Sequence, residues 1–288
     1  MDIPLIKETN LDLLIETLAC FEKHPLDRER QRACVLSHYN VKPGQDLALK
    51  DKSVFRGMVV PSLRYLGLIV GDGDYLRTSS NGHLALVANR CAPKTRQQVL
   101  AVLFYEIDKQ SFHFLDFIGS HRDTVEATKK ALTLECSSGP SLIQKRERVL
   151  SWLALLRQAN LVVDTGGLLV LSSLSQEVQG DLVVGYNDVE TWFKTALFRA
   201  YDEAREANGV CDIISLRACL SENELQEHAR IVTCNRFDRL MQKFPFEEQG
   251  YILSFGSPIS GGQELLEYRK QFYKTLIINR TKGAKDNG

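Results

Sequence analysis

The chain has 288 residues, of which 44% are hydrophobic and 25% are charged. This composition is typical of folded proteins and argues against disorder, and the length suits two or three domains. The 36 basic and 36 acidic residues give a formal net charge of zero, which excludes a protein that coats nucleic acid through bulk positive charge but permits local basic faces.

Three helices are predicted before residue 67. Apolar residues recur at helical spacing in 8–24, 27–38 and 52–66. Pro61 either kinks the third helix or begins another one, because proline is tolerated at the first helical position but not inside a helix. Gly67 is expected to cap the end of that helix.

A β-hairpin is predicted directly after this glycine. Short strands at 68–70 and 75–78 flank a Gly/Asp turn at 71–74. Ser80, Asn81 and Gly82 are turn-forming residues and predict a further turn. The segment is therefore expected to run as helices followed by a hairpin.

The same order of elements is predicted a second time, in Lys145–Ser173. An apolar stripe of Val149, Trp152, Leu153 and Leu156 indicates a helix. A cap, a strand, a turn and a returning strand are expected to follow it, at Asn160, 161–163, 164–167 and 168–171. Apolar helical runs at 96–107 and 123–134 would supply the supporting helices. Two segments with one order of elements indicate an architectural repeat.

A third unit is predicted from Asp188 onward. An amphipathic helix ends at Gly209, and Ser221 is placed to cap a later helix. A further helix is expected over 234–244. Strands at 251–255 and 274–278 flank a Gly/Pro/Ser/Gly loop at 256–262, and 281–288 reads as a polar tail.

These segments predict an α+β fold, mainly α, built from two to three tandem domains. The expected boundaries are 1–92, 93–180 and 187–280, followed by the flexible tail 281–288.

The stretch SLRYLGLIVGDGDYLRTSSNGHLAL resembles the recognition helix and wing of winged-helix domains. Strings of such domains occur in bacterial DNA-binding proteins, including the DNA-recognition halves of type IIS restriction endonucleases. About 30 residues in each copy carry the resemblance. It implies tandem winged helices and duplex DNA as the partner, and a role in bacterial restriction, defence or a mobile element, although the fold also serves protein contacts.

Basic residues are concentrated around each expected recognition helix. The local charge is +3 from Lys42 to Arg64, +3 from 141 to 157 and +2 from 226 to 243. A recognition helix presents such side chains to the major groove, and wing residues contact phosphate or the minor groove. The predicted DNA-binding residues are Lys50, Lys52, Arg56, Arg64, Arg77, Ser80, Asn81, Lys145, Arg146, Arg148, Arg157, Arg236, Arg239 and Lys243.

No pattern in the sequence indicates a catalytic site, a metal site or a cofactor. Phosphate-binding loops of the GxGxxG or GxxxxGK type are missing, and Gly71-Asp72-Gly73 reads as a turn. His113 and His121 stand apart from other ligand types. Asp123, Glu126 and Lys129 fall on a predicted helix rather than at a strand edge, where a nuclease would hold its metal.

Seven cysteines are present, an odd number without a CxxC pair. Most lie in apolar stretches, where a thiol behaves as a small hydrophobic group. The first ten residues lack a basic and apolar signal, and no apolar run approaches the roughly 18 residues that span a bilayer. We therefore expect reduced thiols, a cytoplasmic location and no membrane contact.

Duplex DNA binding is the leading functional hypothesis. The second is a protein-interaction scaffold, in which winged helices dock a partner that carries a nuclease or an ATPase. The third is a divergent metal-dependent nuclease. The net charge of zero favours the scaffold over DNA binding, whereas the repeated basic clusters favour DNA.

Overall fold

The computed structural model describes residues 3–39, 47–73, 75–121, 123–184, 191–248, 250–257 and 264–280. The chain is mainly helical with small antiparallel sheets, which confirms the predicted α+β class. Several predicted positions lie outside the described residues: Lys42, Asp74, 258–262 of the loop and the tail 281–288.

Two compact units divide the chain. Unit 1 comprises Met1–Thr78 and Ala85–Val183, and unit 2 comprises Ser79–Leu84 and Val184–Gly288. Most of the first two predicted domains therefore fall in unit 1, and the boundary between them stays a prediction.

The first half of unit 1 places its helices before a short hairpin, as predicted. Its elements are α1 (Leu11–Lys23), α2 (Arg28–Ser37), α3 (Leu47–Lys50), α4 (Val60–Tyr65), β1 (Ile69–Val70) and β2 (Arg77–Thr78). The helix expected near 52–66 is present, but its first part, Asp51–Val59, is π-helical. Pro61 is the second residue of α4, directly after the π-helical stretch, so the change in helix type lies at the residue that has no N–H to donate.

The second half of unit 1 repeats this order. Its elements are α5 (Ser80–Ala88, shared with unit 2), α6 (Pro93–Ile107), α7 (Phe114–Ser120), α8 (Val125–Glu135), α9 (Leu142–Gln158), β3 (Val162–Thr165), β4 (Leu168–Leu171) and α10 (Ser173–Val184). A π-helical turn, Asp108–Phe112, precedes α7. The predicted supporting helices and the hairpin around Gly166 and Gly167 are confirmed.

One residue between two helices joins each hairpin in unit 1. The N–H of Leu26 donates to the carbonyl oxygen of Leu76 at 3.1 Å, and Thr124 forms a bridge with Leu168. Each half of unit 1 therefore has the order helix, connecting residue bonded to the hairpin, two helical segments and hairpin.

The turn predicted at 80–82 is wrong, because α5 begins at Ser80. Ser79 explains the difference: its hydroxyl oxygen accepts a hydrogen bond from the N–H of Gly82 at 2.8 Å. Serine and asparagine favour helix starts for the same reason that they favour turns, since their side chains bond to nearby backbone groups.

The aromatic core of the second half of unit 1 is centred on Trp152 of α9. The Trp152 ring is fully buried and packs on Phe104 and edge-on against Phe112. The predicted stripe of Val149, Trp152, Leu153 and Leu156 is buried throughout, which confirms the core-facing side of α9.

Unit 2 combines three longer helices with a four-stranded sheet. Its elements are α11 (Thr191–Ala204), β5 (Cys211–Asp212), α12 (Ile213–His228), α13 (Cys234–Lys243), β6 (Glu247–Glu248), β7 (Tyr251–Phe255), β8 (Leu266–Tyr268), β9 (Gln271–Tyr273) and β10 (Thr275–Arg280). The sheet order is β5-β10-β7-β6, all antiparallel. The last strand therefore lies between the first strand of the unit and β7.

The cap predicted at Ser221 is wrong, because α12 continues through this residue. Asp212 caps the helix instead, and its carboxylate accepts from the N–H of Ser215 at 3.2 Å. Ser221 is buried and its hydroxyl donates to the carbonyl oxygen of Val232 at 2.6 Å. The Ser221 hydroxyl, which local spacing assigns to a helix cap, is therefore bonded to a residue eleven positions away in the chain.

Two of the cysteines depart from the expected reduced state. Cys20 of α1 and Cys34 of α2 form a disulfide, with their Cα atoms 5.6 Å apart. The other five cysteines are thiols, as expected. Within the described ranges, no helix combines the length and the apolar character that a bilayer crossing requires.

Candidate functional site

The predicted basic residues of the first hairpin segment contact groups of their own fold. Arg56 forms an ion pair with the buried Asp51, at 3.2 Å between Nε and Oδ2. Arg64 donates to the carbonyl oxygen of Gly71 at 2.7 Å, and Lys50 donates to that of Tyr39 at 3.3 Å.

Two further predicted residues of this segment are placed by their elements. Lys52 is exposed on the π-helical stretch, and Arg77 is half-buried on β2. The structure thus keeps Lys52 accessible to a partner while it ties Arg56 and Arg64 to the fold.

The second basic cluster is divided along α9. Near its start, Lys145 is half-buried and Arg146 is exposed. Arg148 donates to the carbonyl oxygen of Ile3 at 2.7 Å. At the other end, Arg157 donates to both carboxylate oxygens of Asp164, at 2.8 and 3.0 Å. Only part of this cluster therefore faces solvent without such a bond to the fold.

The third cluster lies on α13 in unit 2. Arg236 donates to the carbonyl oxygen of Ile231 at 2.9 Å, and its guanidinium lies 5.8 Å from the centre of the Trp192 ring. Arg239 and Lys243 are exposed. At the start of α13, the N–H of Cys234 donates to Oδ1 of Asn81 at 2.9 Å, so the chain itself contacts the end of the helix that would enter a DNA groove.

Ser80 and Asn81 do not form an exposed wing. Ser80 is buried, and its N–H donates to both carboxylate oxygens of Glu264 at 3.1 Å. Asn81 is partly buried, and with its contact to Cys234 both residues bond to other segments of unit 2. The expectation that they are wing residues in a turn is corrected by the start of α5 at Ser80.

One open groove of about 340 Å³ lies between α8 and α9. We call it the α8–α9 groove, and it is lined by Glu126, Lys129, Lys130, Thr133, Leu134, Leu142 and Arg146. Of the predicted DNA-binding residues, Arg146 is the one that lines it.

Apolar side chains at the α8–α9 groove are exposed to an unusual extent. Leu134 is 65% exposed and Leu142 62%, and the adjacent Ile143 is 72% exposed. Leu142, Arg146 and Leu150 lie four residues apart along one side of α9, since residues at this spacing are neighbours on a helix surface. A cluster of exposed apolar residues rimmed by charge is typical of an interaction site.

The charges around the groove are positive in excess. Lys129 donates to Glu126 at 2.7 Å, and this hydrogen bond is the main reason that the pKa of Glu126 is lowered. Lys130 and Arg146 then add positive charge to the rim of the groove. A ligand that fits it combines apolar groups with negative charge.

The sequence interpretation missed the apolar residues of this groove. The signal was present, because Leu142 and Ile143 open the helix beside Ser141 but lie off the buried stripe that begins at Val149. Apolar residues outside the stripe that a helix needs for its core indicate a second contact.

One group of side chains in the described residues has the composition of a metal site. The sulfurs of Cys20 and Cys34 and a ring nitrogen of His38 lie within 4.8 Å of one another, on α1 and at the end of α2. His38 was not considered among the ligand candidates of the sequence.

Comparisons of this chain with protein-family models, with curated proteins and with solved structures find no match.

Proposed function

We propose that this chain is a protein-interaction scaffold, in which the α8–α9 groove binds an amphipathic, acidic helix of a partner protein. The observation that carries the proposal is the exposure of Leu134, Leu142 and Ile143 beside Lys130 and Arg146. Helices dock into grooves through apolar anchors at helical spacing, and flanking carboxylates of the partner would pair with the basic rim.

The arrangement of α8, α9 and the β3–β4 hairpin supports a winged-helix interpretation of this region. In such a domain α9 would occupy the place of the recognition helix. The exposed first turn of α9 carries Leu142 and Ile143. An apolar surface of this kind is stabilised more by contact with an apolar partner than by contact with phosphates.

The state of the basic residues also favours a protein partner over DNA. Arg56, Arg148, Arg157 and Arg236 each contact an acceptor in their own unit. Between Val162 and Leu171 the hairpin contains one charged residue, Asp164, which pairs with Arg157, so a wing at this position would bring no basic side chain of its own to a phosphate backbone.

Selection of helical peptides from a displayed random library on the full-length chain tests the proposal. We expect enriched peptides with apolar residues at i, i+3 or i+4 and neighbouring Asp or Glu. Binding to the selected peptide, measured by fluorescence anisotropy, should weaken at least tenfold in Ile143→Asp, which corresponds to about 1.4 kcal/mol. Lys130→Glu should weaken it through charge alone.

Tyr75→Asp is the matched control, because Tyr75 has the same exposed fraction as Ile143, 72%, but lies on the first hairpin of unit 1. Its affinity should equal that of the unchanged chain. Enrichment of peptides without carboxylates, or equal losses in Tyr75→Asp and Ile143→Asp, would contradict the proposal.

Duplex DNA is a second candidate, favoured by Lys130 and Arg146 at the α8–α9 groove, by Lys145 next to Arg146 on α9 and by the recurrence of helices before a hairpin. Binding to DNA predicts a mobility shift whose log affinity falls linearly with log salt concentration. The double variant Lys145→Glu/Arg146→Glu should then abolish the shift, whereas Ile143→Asp should reduce it less. The scaffold proposal expects no shift at physiological salt.

A further inference from the structure

Two helices of unit 1 bring four side chains with metal-site chemistry together. Glu16 and Cys20 are four residues apart on α1, and Cys34 and His38 are four residues apart on α2 and its C-terminal cap. Residues at this spacing share a helix face. The Cys20–Cys34 disulfide shows that these two faces meet, with the Cα atoms 5.6 Å apart.

We propose that the reduced chain binds a zinc-class divalent cation through Sγ of Cys20, Sγ of Cys34 and a ring nitrogen of His38. These three donors lie within 4.8 Å of one another. Zinc takes thiolate and imidazole ligands at about 2.3 and 2.0 Å in a tetrahedron, so small side-chain rotations close the site around the metal once the sulfurs separate.

Glu16 positions His38 at this site. Its carboxylate oxygen Oε2 lies 3.4 Å from Nδ1 of His38, which leaves Nε2 to bind the metal. The nitrogen that does not bind a metal commonly donates to a carboxylate, which orients the ring and raises the basicity of the other nitrogen. The fourth position of the tetrahedron then belongs to water.

The three ligands differ in burial, so the site has both a rigid base and a path by which a cation can enter. Cys20 is buried, Cys34 is partly buried and His38 is exposed. A cation can therefore approach from the His38 side and reach the sulfurs that lie deeper between the helices.

Metal binding and the disulfide exclude each other, because they use the same two sulfurs. A phosphine reductant breaks the S–S bond: the phosphine and one water convert the disulfide into two thiols and a phosphine oxide. Binding of the cation then releases one proton from each thiol. The site is thus formed only in the reduced chain.

Titration of the full-length, metal-free chain with Co²⁺ after phosphine reduction tests the proposal. We expect one Co²⁺ per chain, with a thiolate-to-cobalt charge-transfer band and the strong visible bands of tetrahedral coordination, both removed by one equivalent of Zn²⁺. The oxidised chain should show neither band. Absence of these bands in the reduced chain would overturn the proposal.

Variants distinguish the loss of a metal ligand from the loss of the folded structure. His38→Ala keeps the disulfide pair, so its folding can be verified in the oxidised form, and it should weaken Co²⁺ binding at least tenfold. Cys34→Ser leaves one thiolate, so it should reduce the charge-transfer band by at least half, whereas Cys91→Ser, a change at a free thiol elsewhere in unit 1, should leave the titration unchanged.

The role of Glu16 has its own readout. Glu16→Gln should weaken binding about 10- to 100-fold, as changes to such carboxylate partners do, while the spectrum keeps its tetrahedral bands. Unchanged affinity in Glu16→Gln would remove Glu16 from the site, and unchanged affinity in His38→Ala or Cys34→Ser would refute the site itself.

Discussion

The carboxyl group of Asp108 costs free energy to bury, but its hydrogen bonds hold elements of the fold together. It is fully buried and accepts hydrogen bonds from the N–H groups of Phe114 and Leu115, at 3.2 and 2.9 Å, and from Nε1 of Trp152 at 2.8 Å. These bonds fix the start of α7 to the core of α9. Burial outweighs them and raises the pKa of Asp108 to about 6.

Asp108→Asn should change how stability depends on pH. Because the folded-state pKa is raised, the folded chain takes up a proton that the unfolded chain does not, and this contribution is complete below about pH 4. It is lost as the pH rises through about 6. Relative to the variant, the unchanged chain should gain about 2 kcal/mol in free energy of unfolding between pH 7 and pH 4.

Urea unfolding of both proteins across this pH range measures the effect. Their difference is the relevant quantity, because other carboxyl groups titrate in the same range and cancel. A difference that does not vary with pH would show that Asp108 is ionised in the folded chain throughout.

At the scale of single elements, the helices and hairpins of unit 1 follow from the sequence because their causes are local. The buried stripe of α9 was predicted from spacing alone, and Asn160 adopts the positive φ expected of a residue that ends a helix. The spacing of apolar residues does not predict the π-helical stretch Asp51–Val59, because α-helical and π-helical hydrogen bonding are both compatible with these residues.

Gly71 and Gly73 provide a test of the first hairpin. Both have positive φ, but a Cβ at Gly71 would lie 1.9 Å from the carbonyl oxygen of Tyr75, whereas a Cβ at Gly73 meets nothing within 4 Å. Gly73→Ala should cost about 1 kcal/mol from backbone conformation alone. Gly71→Ala should cost clearly more, because the hairpin has to open to admit the methyl group.

Thermal unfolding of the two glycine variants is the measurement, and Gly73→Ala serves as the control for the conformational cost. Equal shifts in Tm would mean that the approach between Gly71 and Tyr75 does not persist in solution.

At the scale of the whole molecule, the sequence does not reveal which distant segments meet. Cys211 of β5 pairs with Leu276 of β10, and Asn81 accepts a hydrogen bond from Cys234. Periodicity describes one element at a time, so it predicts the strands but not their partners. For the same reason the apolar residues of the α8–α9 groove could be seen in the sequence but not assigned to one surface.

The position of β10 predicts how unit 2 responds to truncation. β10 pairs with both β5 and β7, so it holds the sheet together. A chain that ends at residue 270 should lose the tertiary structure of unit 2, measured by near-ultraviolet circular dichroism and by protease sensitivity after residue 191. A chain that ends at Arg280 retains every described strand and should behave as the full chain does.

Protease sensitivity of unit 2 that is equal in the two truncated chains would contradict this role of β10. Unit 1 supplies an internal reference: its resistance to the protease should be the same in both chains, because the strands that pair with β10 belong to unit 2.

The segment Ser79–Leu84 belongs to unit 2, although the residues on either side of it belong to unit 1. Three of its residues form hydrogen bonds with other parts of unit 2: Ser80 with Glu264 at 3.1 Å, Asn81 with Cys234 at 2.9 Å and His83 with Glu222 at 2.9 Å. The chain therefore crosses between the units more than once. A gene fragment that starts at the junction near residue 184 would encode unit 2 without these three side chains, so recombination at that single point could not transplant the unit intact into another protein.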